Sequence, residues 1–146
     1  MLGDIARDRT HLHVRLRDLP PARDLVQGAT PGDDDYWKIL WADPEERTGW
    51  QLTIAPDGSF QTTMRLLNAE PVPYEAGARV RSSLSGDGTW TTEVSLPLDA
   101  LPAQRNTIRM QFARGAGRGE DLAMFTPMEA SLGNVERFAI VQLDDD

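Results

Sequence analysis

The sequence predicts an all-β fold, a two-sheet antiparallel β-sandwich of the immunoglobulin or jelly-roll type. Short runs of alternating apolar and polar residues recur along the chain, and hardly any segment shows a helical period. The 12 glycines and 10 prolines stand mainly between those runs, where strands must turn. These features exclude the α/β classes, in which strands alternate with amphipathic helices.

The alternating runs divide the chain into about eight strands. In residues 11–17, leucine and valine alternate with histidine and arginine, so one face of that strand is expected in solvent. The turns at residues 56–58 and 86–88 have the composition of tight hairpin turns. The residues expected between the two sheets are Trp37, Ile39, Trp50, Leu52, Ile54, Trp90, Val94, Leu96, Met110 and Phe112.

Residues 1–146 are expected to form one β-sandwich domain, which could be a module of a larger protein. Aspartates, prolines and glycines predict a long loop from residue 18 to residue 35, with one helical turn at 21–26. Residues 120–132 could hold another helical turn, which Pro127 would keep short.

The net charge of −8 opposes binding to nucleic acid or to anionic membranes, because both attract clustered lysine and arginine. No segment reaches the roughly 20 apolar residues that a membrane-spanning helix needs, and residues 1–9 show no signal peptide. The absence of cysteine excludes disulfides, thiolate metal sites and cysteine nucleophiles.

Six segments resemble, in the same order, the motifs of one known family. The most distinctive is Trp90 to Leu101, which is similar to the pattern W-x-x-E-x-x-I-P-x-x-x-L. The other five are residues 34–40 (D-D-x-V-E-x-F), 50–58 (Y-x-F-x-I-N-P-x-G), 108–114 (W-x-x-N-F-x-R), 125–127 (W-x-P) and 135–143 (P-E-x-F-G-x-L-x-L). The chain thus resembles the family 9 carbohydrate-binding modules and their DOMON-like relatives from about Thr10 to Leu143. The first strand of that family is expected to be missing or degraded before residue 9.

The resemblance implies a non-catalytic domain that binds a glycan weakly or supports a neighbouring enzyme domain of the same polypeptide. It places ligand contacts on the strand of Lys38, on the strand of Gln111 and in the loop of Phe125. Outward-facing polar groups would donate and accept hydrogen bonds, and two aromatic rings would stack on the sugar. The carbohydrate-binding residues expected on this basis are Tyr36, Lys38, Glu93, Gln111, Arg114 and Phe125.

Several positions depart from the pattern of the family. Lys38 replaces its glutamate, Gln111 its asparagine and Phe125 its tryptophan, while Ala55 and Ala139 replace an asparagine and a glycine. A lost stacking ring or hydrogen bond costs about 1–3 kcal/mol, so binding to neutral sugars is expected to be weak, on the order of millimolar. A lysine and an arginine on one face would instead favour an acidic sugar such as a uronate.

The residues leave other functions open. The tryptophans could form a stacking platform, but their parity favours the core. His11 and His13 could form a metal pair, although no third histidine exists, and Asp33 to Asp35 could help to hold a calcium ion.

A haem-binding DOMON-like domain, a purely structural module and, least favoured, a glycoside-active enzyme remain as alternatives. We expect no catalytic residue, no metal-binding residue and no cofactor, calcium excepted. The localisation is left unknown, with a position outside the cytoplasm or secretion expected if the domain is part of a glycan-acting protein.

Overall fold

The computed structural model describes residues 2–18, 30–31, 35–43, 48–66, 69–101, 107–115, 123–124 and 139–142. These residues form eleven strands and one short 3-10 turn, so the all-β prediction is confirmed. The strands are β1 (Leu2–Arg7), β2 (His11–Asp18), β3 (Tyr36–Ala42), β4 (Thr48–Ile54), β5 (Phe60–Leu66), β6 (Val72–Pro73), β7 (Arg79–Leu84), β8 (Trp90–Pro97), β9 (Thr107–Gly115), β10 (Ala123–Met124) and β11 (Ala139–Gln142), and the 3-10 turn is Leu98–Ala100.

The strands form two antiparallel sheets. The smaller sheet has the order β1-β2-β8-β7, and the larger has the order β10-β9-β3-β4-β5-β6. Strand β11 pairs with β9 beside β10, so the larger sheet contains seven strands. The central pair of the larger sheet is β3 and β4, and the central pair of the smaller is β2 and β8.

The first strand corrects an expectation. The first strand of the family was expected to be missing or degraded before residue 9, yet β1 pairs with β2 along its whole length. β1 is an edge strand, and its Ile5 faces inward opposite Val14 but remains 38% exposed. Its apolar residues Leu2, Ile5 and Ala6 do not alternate with polar ones, so a search for alternating apolar runs misses this strand.

The core lies between the sheets, where the alternating runs predicted it. Nine of the ten predicted core residues are at most 3% exposed; the tenth, Trp50, is partly buried and packs against the others. Trp37 of the larger sheet meets Trp90 of the smaller with ring centroids 5.6 Å apart. Trp41 stacks on Trp50 with centroids 6.4 Å apart. The interpretation of the tryptophans as core residues is confirmed for Trp37, Trp41 and Trp90, which are fully buried.

Two predicted segments fall largely outside the described residues. The helical turn at 21–26 is one, and most of residues 120–132 is the other; Ala123–Met124 within it forms β10. In the described part of the chain, no helix is long and apolar enough to cross a membrane.

One buried ion-pair cluster joins the two sheets at one end. Arg114 lies in register with Trp37 on the inner face of the larger sheet, and its guanidinium carbon is 4.7 Å from the centroid of the Trp90 ring. Its Nε and Nη2 atoms donate to Asp18 and Asp35 at 3.2 and 3.0 Å, and its Nη1 donates to the carbonyl of Gly115 at 2.6 Å. Asp18 ends β2 and Asp35 directly precedes β3, so one side chain fixes a strand end in each sheet.

We expect Arg114→Met to lower the free energy of unfolding by about 3–5 kcal/mol, because it leaves the buried Asp35 carboxylate without its cation. Urea unfolding followed by tryptophan fluorescence measures the change. Arg81→Met, at an exposed position of β7, is the control and should change the stability by less than about 0.5 kcal/mol. A loss below about 1 kcal/mol for the Arg114 variant would contradict the proposed role of this cluster.

Candidate functional site

The outer face of the larger sheet carries polar side chains on four neighbouring strands. Cross-strand pairing puts Lys38 between Ala113 of β9 and Thr53 of β4, and puts Leu40 between Gln111 and Gln51. The same face continues onto β5. We call the following set the polar face: Lys38, Gly49, Gln51, Thr53, Gln61, Thr63, Arg65, Arg109 and Gln111.

Burial differs strongly across this face. On β3 and β9, solvent hardly reaches Leu40 and Gln111, which are 6% and 0% exposed. On β5, Gln61 and Arg65 are exposed, and Gln51 of β4 is partly buried. The polar face is therefore open to a ligand mainly over β4 and β5, with Lys38 at its inner border.

Lys38 occupies an unusual position for a lysine. Its side chain is partly buried, and its Nζ atom lies 4.9 Å from the centroid of the Tyr36 ring, so the ammonium is held by a cation–π contact. Burial lowers the pKa of Lys38 below its ordinary value, and no charge interaction opposes that shift. Of the carboxylates in the described residues, none forms an ion pair with it.

Tyr36 corrects a second expectation. It was expected to offer an exposed ring for stacking, but it is only 8% exposed. Its ring lies over Gly115 on the neighbouring strand β9, where a methyl group would come within 2.5 Å of the Tyr36 hydroxyl oxygen. Burial raises the pKa of Tyr36, and the charge of Arg114 opposes that rise. The Tyr36 ring therefore contacts the ammonium of Lys38, and its stacking on a sugar stays a prediction.

The other predicted site residues do not all lie on the same surface as Lys38. Gln111 lies on the polar face but is fully buried, and its Oε1 accepts a hydrogen bond from the backbone N–H of Phe112 at 3.0 Å. Arg114 was expected on the outer face; that placement is wrong, because its strand parity turns it inward onto the two tryptophans. Glu93 does face outward, but from the smaller sheet, on the opposite side of the sandwich. Phe125 lies outside the described residues.

The structure thus brings together Lys38, Tyr36 and Gln111 and separates Glu93 and Arg114 from them. It also adds polar residues that the sequence did not single out. They hold the polar positions of the alternating runs in β4, β5 and β9, namely Gln51, Thr53, Gln61, Thr63, Arg65 and Arg109. The alternation marks them as outward-facing, but only the strand order shows that they share a face with Lys38. Within this group, Gln51 Nε2 donates to Thr53 Oγ1 at 3.2 Å.

The outer face of the smaller sheet holds a second polar network. His13 contacts Asp8 through Nε2 at 2.8 Å and Ser95 through Nδ1 at 3.0 Å. The other oxygen of Asp8 accepts backbone hydrogen bonds from Thr10 and His11. The contact with His13, together with these two hydrogen bonds, holds the pKa of Asp8 well below its ordinary value. Ser95, His13 and Asp8 are thus connected in the order found in serine hydrolases. His13 and Asp8 are 44% and 56% exposed on an open sheet surface, however, whereas such catalysis needs a site that excludes water.

Two metal-binding hypotheses concern the pair His11 and His13 and the aspartates Asp33 to Asp35. The rings of His11 and His13 stack with centroids 6.1 Å apart. Throughout the described residues, no group of three or more metal-ligating side chains could hold an ion. Asp33 and Asp34 lie outside the described residues, so the calcium expectation stays a prediction.

Comparison with solved structures identifies the class of fold. The chain is similar to a candidate carbohydrate-binding protein from Bacteroides uniformis ATCC 8492 over 97% of this chain and 77% of that one, with a TM-score of 0.73 and 12% identity. It is also similar to a carbohydrate-binding module of family 9 from Caldicellulosiruptor kristjanssonii, in complex with glucose, over 99% and 76% of the two chains, with a TM-score of 0.71 and 13% identity. No family model and no curated protein matches the sequence.

At this level of identity the likeness concerns the fold. The fold is that of a family 9 carbohydrate-binding module, as the sequence motifs predicted. The wider DOMON-like assignment stays a prediction.

We expect Gly115→Ala to displace Tyr36 and to lower the free energy of unfolding by about 1–3 kcal/mol, because the added methyl group overlaps the tyrosine hydroxyl. Gly49→Ala is the matched control, since no atom lies within 4 Å of its Cβ position. That control should leave the stability unchanged or raise it slightly. Equal urea midpoints for the two variants would contradict the packing of Tyr36 on Gly115.

Proposed function

We propose that this chain is a glycan-binding module and that it binds through the polar face of the larger sheet. The observation that carries the proposal is the combination of a fold shared with carbohydrate-binding modules and a row of hydrogen-bonding side chains across three of its strands. Sugar hydroxyls need such paired donors and acceptors, which amide and hydroxyl side chains provide. In solution the domain acts as a targeting or supporting module for an enzyme domain of the same polypeptide.

The chemistry of the polar face supports binding without a catalytic step. Hydrolysis of a glycosidic bond requires two carboxyl groups on either side of it. The described strand residues of the polar face include amides, hydroxyls and three cations, but no carboxylate.

Affinity for neutral sugars is weak in this proposal. The described part of the face offers no exposed aromatic ring, since Tyr36 is buried beneath Lys38. Stacking contributes about 0.5–1.5 kcal/mol beyond burial, so hydrogen bonds alone give dissociation constants on the order of millimolar. Phe125, which lies outside the described residues, is the one predicted site residue that could supply stacking.

Gly49→Val tests where the glycan binds. Gly49 lies between Ala42 and Arg65 on the polar face with open space above it, and valine suits a strand, so we expect normal stability. The isopropyl group would lift a flat ligand off the face, and we expect affinity to fall about tenfold or more, corresponding to about 1.4 kcal/mol. Affinity electrophoresis in gels containing soluble glycans measures the change.

Ser83→Val provides the matched control, because Ser83 is exposed on the outer face of the smaller sheet. It should migrate like the unmodified protein. If Gly49→Val leaves the retardation unchanged and Ser83→Val abolishes it, the glycan binds to the smaller sheet and the proposed location is wrong. No retardation by any glycan would overturn the proposed function.

A further inference from the structure

We propose that the glycan bound by the polar face is acidic, a polymer of uronic acids, and that the ammonium of Lys38 pairs with one of its carboxylates. This inference rests on the proposed function and names the substrate class for the same face.

Lys38 is the first reason. Its ammonium lies against the Tyr36 ring, and its two cross-strand neighbours, Ala113 and Thr53, are buried and uncharged. A partly buried cation loses hydration, and this loss is normally offset by a carboxylate. In the described residues no carboxylate takes that place, so an anionic group of a ligand would restore the missing interaction.

The distribution of charge is the second reason. The chain carries a net charge of −8, yet the described strand residues of the polar face include Lys38 and the exposed Arg65 and no acid. Arg65 lies in one row with Ala42 and Gly49, four residues along β3 from Lys38. At 3.3 Å per residue that separation is about 13 Å along the strand. Cations so far apart can pair with carboxylates on different sugars of one polymer.

The opposite face provides the contrast. On the smaller sheet, Arg15 and Arg17 both contact the carboxylate of Asp4 at 3.1 Å, and Glu93 lies between Arg15 and Arg81 in the cross-strand row. Its four outward arginines, Arg15, Arg17, Arg79 and Arg81, are therefore partly offset by two acids of the same face, Asp4 and Glu93, which lowers the local positive potential.

Nucleic acid is a poorer fit to the same cations. Phosphate backbones are bound by clusters of lysine and arginine, whereas these side chains are spread over two rows of the sheet. The strongly acidic remainder of the chain would also repel a polyanion of high charge density. Uronic acids combine a lower charge density with the hydroxyl groups that Gln51, Gln61 and Thr63 can bind.

The experiment compares polygalacturonate with its fully methyl-esterified form, which keeps the sugar backbone and removes the charge. Isothermal titration at low ionic strength should give binding to the acid that is at least tenfold tighter than binding to the ester. The difference should shrink on addition of salt, since exposed charges are screened.

Lys38→Met removes the charge and keeps the length of the side chain. We expect it to reduce affinity for polygalacturonate about tenfold and to change affinity for the ester little. Because the substitution removes a partly desolvated charge, the urea midpoint should be unchanged or higher, which separates loss of binding from loss of structure. Arg81→Met on the opposite sheet is the control and should bind like the unmodified protein.

Equal affinity for the acid and the ester, or full affinity in Lys38→Met, would overturn the inference while leaving the proposed function intact. Absence of binding to either polymer and to neutral glycans would overturn both. Binding of polygalacturonate that Arg81→Met abolishes would also overturn the inference, because it would move the site to the smaller sheet.

Discussion

The buried guanidinium of Arg114 is the interaction on which the arrangement of this sandwich depends. It lies on Trp90 of the smaller sheet and near Trp37 of the larger, and it binds Asp18 at the end of β2 and Asp35 at the start of β3. A planar cation with several donors can satisfy two carboxylates and a carbonyl while stacking on aromatic rings, which lysine cannot do. The start of β3 is thereby fixed relative to both sheets, and this determines the positions of Tyr36 and Lys38 in that strand.

The candidate site is built on the other side of that same strand. Gly115 follows Arg114 and leaves space for the Tyr36 ring, and the ring in turn supports the ammonium of Lys38. Successive residues of β3 and β9 thus point to opposite sides of the sheet, so that one set packs in the core and the other faces outward. A partly buried lysine that pairs with no carboxylate of the described residues costs stability, and groups perturbed by burial cluster at functional sites.

Alternation predicts which side chains face inward, and the structure confirms it for the tryptophans and for most of the core. The same rule would have corrected one error: Gln111 and Arg114 are three residues apart in one strand, so they cannot share a face. Glu93 shows the limit of the rule, since its outward direction was predictable but the sheet to which β8 belongs was not. Burial of Tyr36 was not predictable either, because it depends on Gly115, which is distant in sequence. The edge strand β1 forms a local hairpin with β2, but its residues lack the alternation that the rule requires.

The central claim is that a glycan lies on the polar face of the larger sheet, and amide chemical shifts recorded during titration with oligogalacturonate test it most directly. The account predicts perturbations concentrated in β3, β4, β5 and β9, with the amides of β1, β2, β7 and β8 unchanged. Perturbations confined to the smaller sheet, or none at saturating ligand, would contradict it.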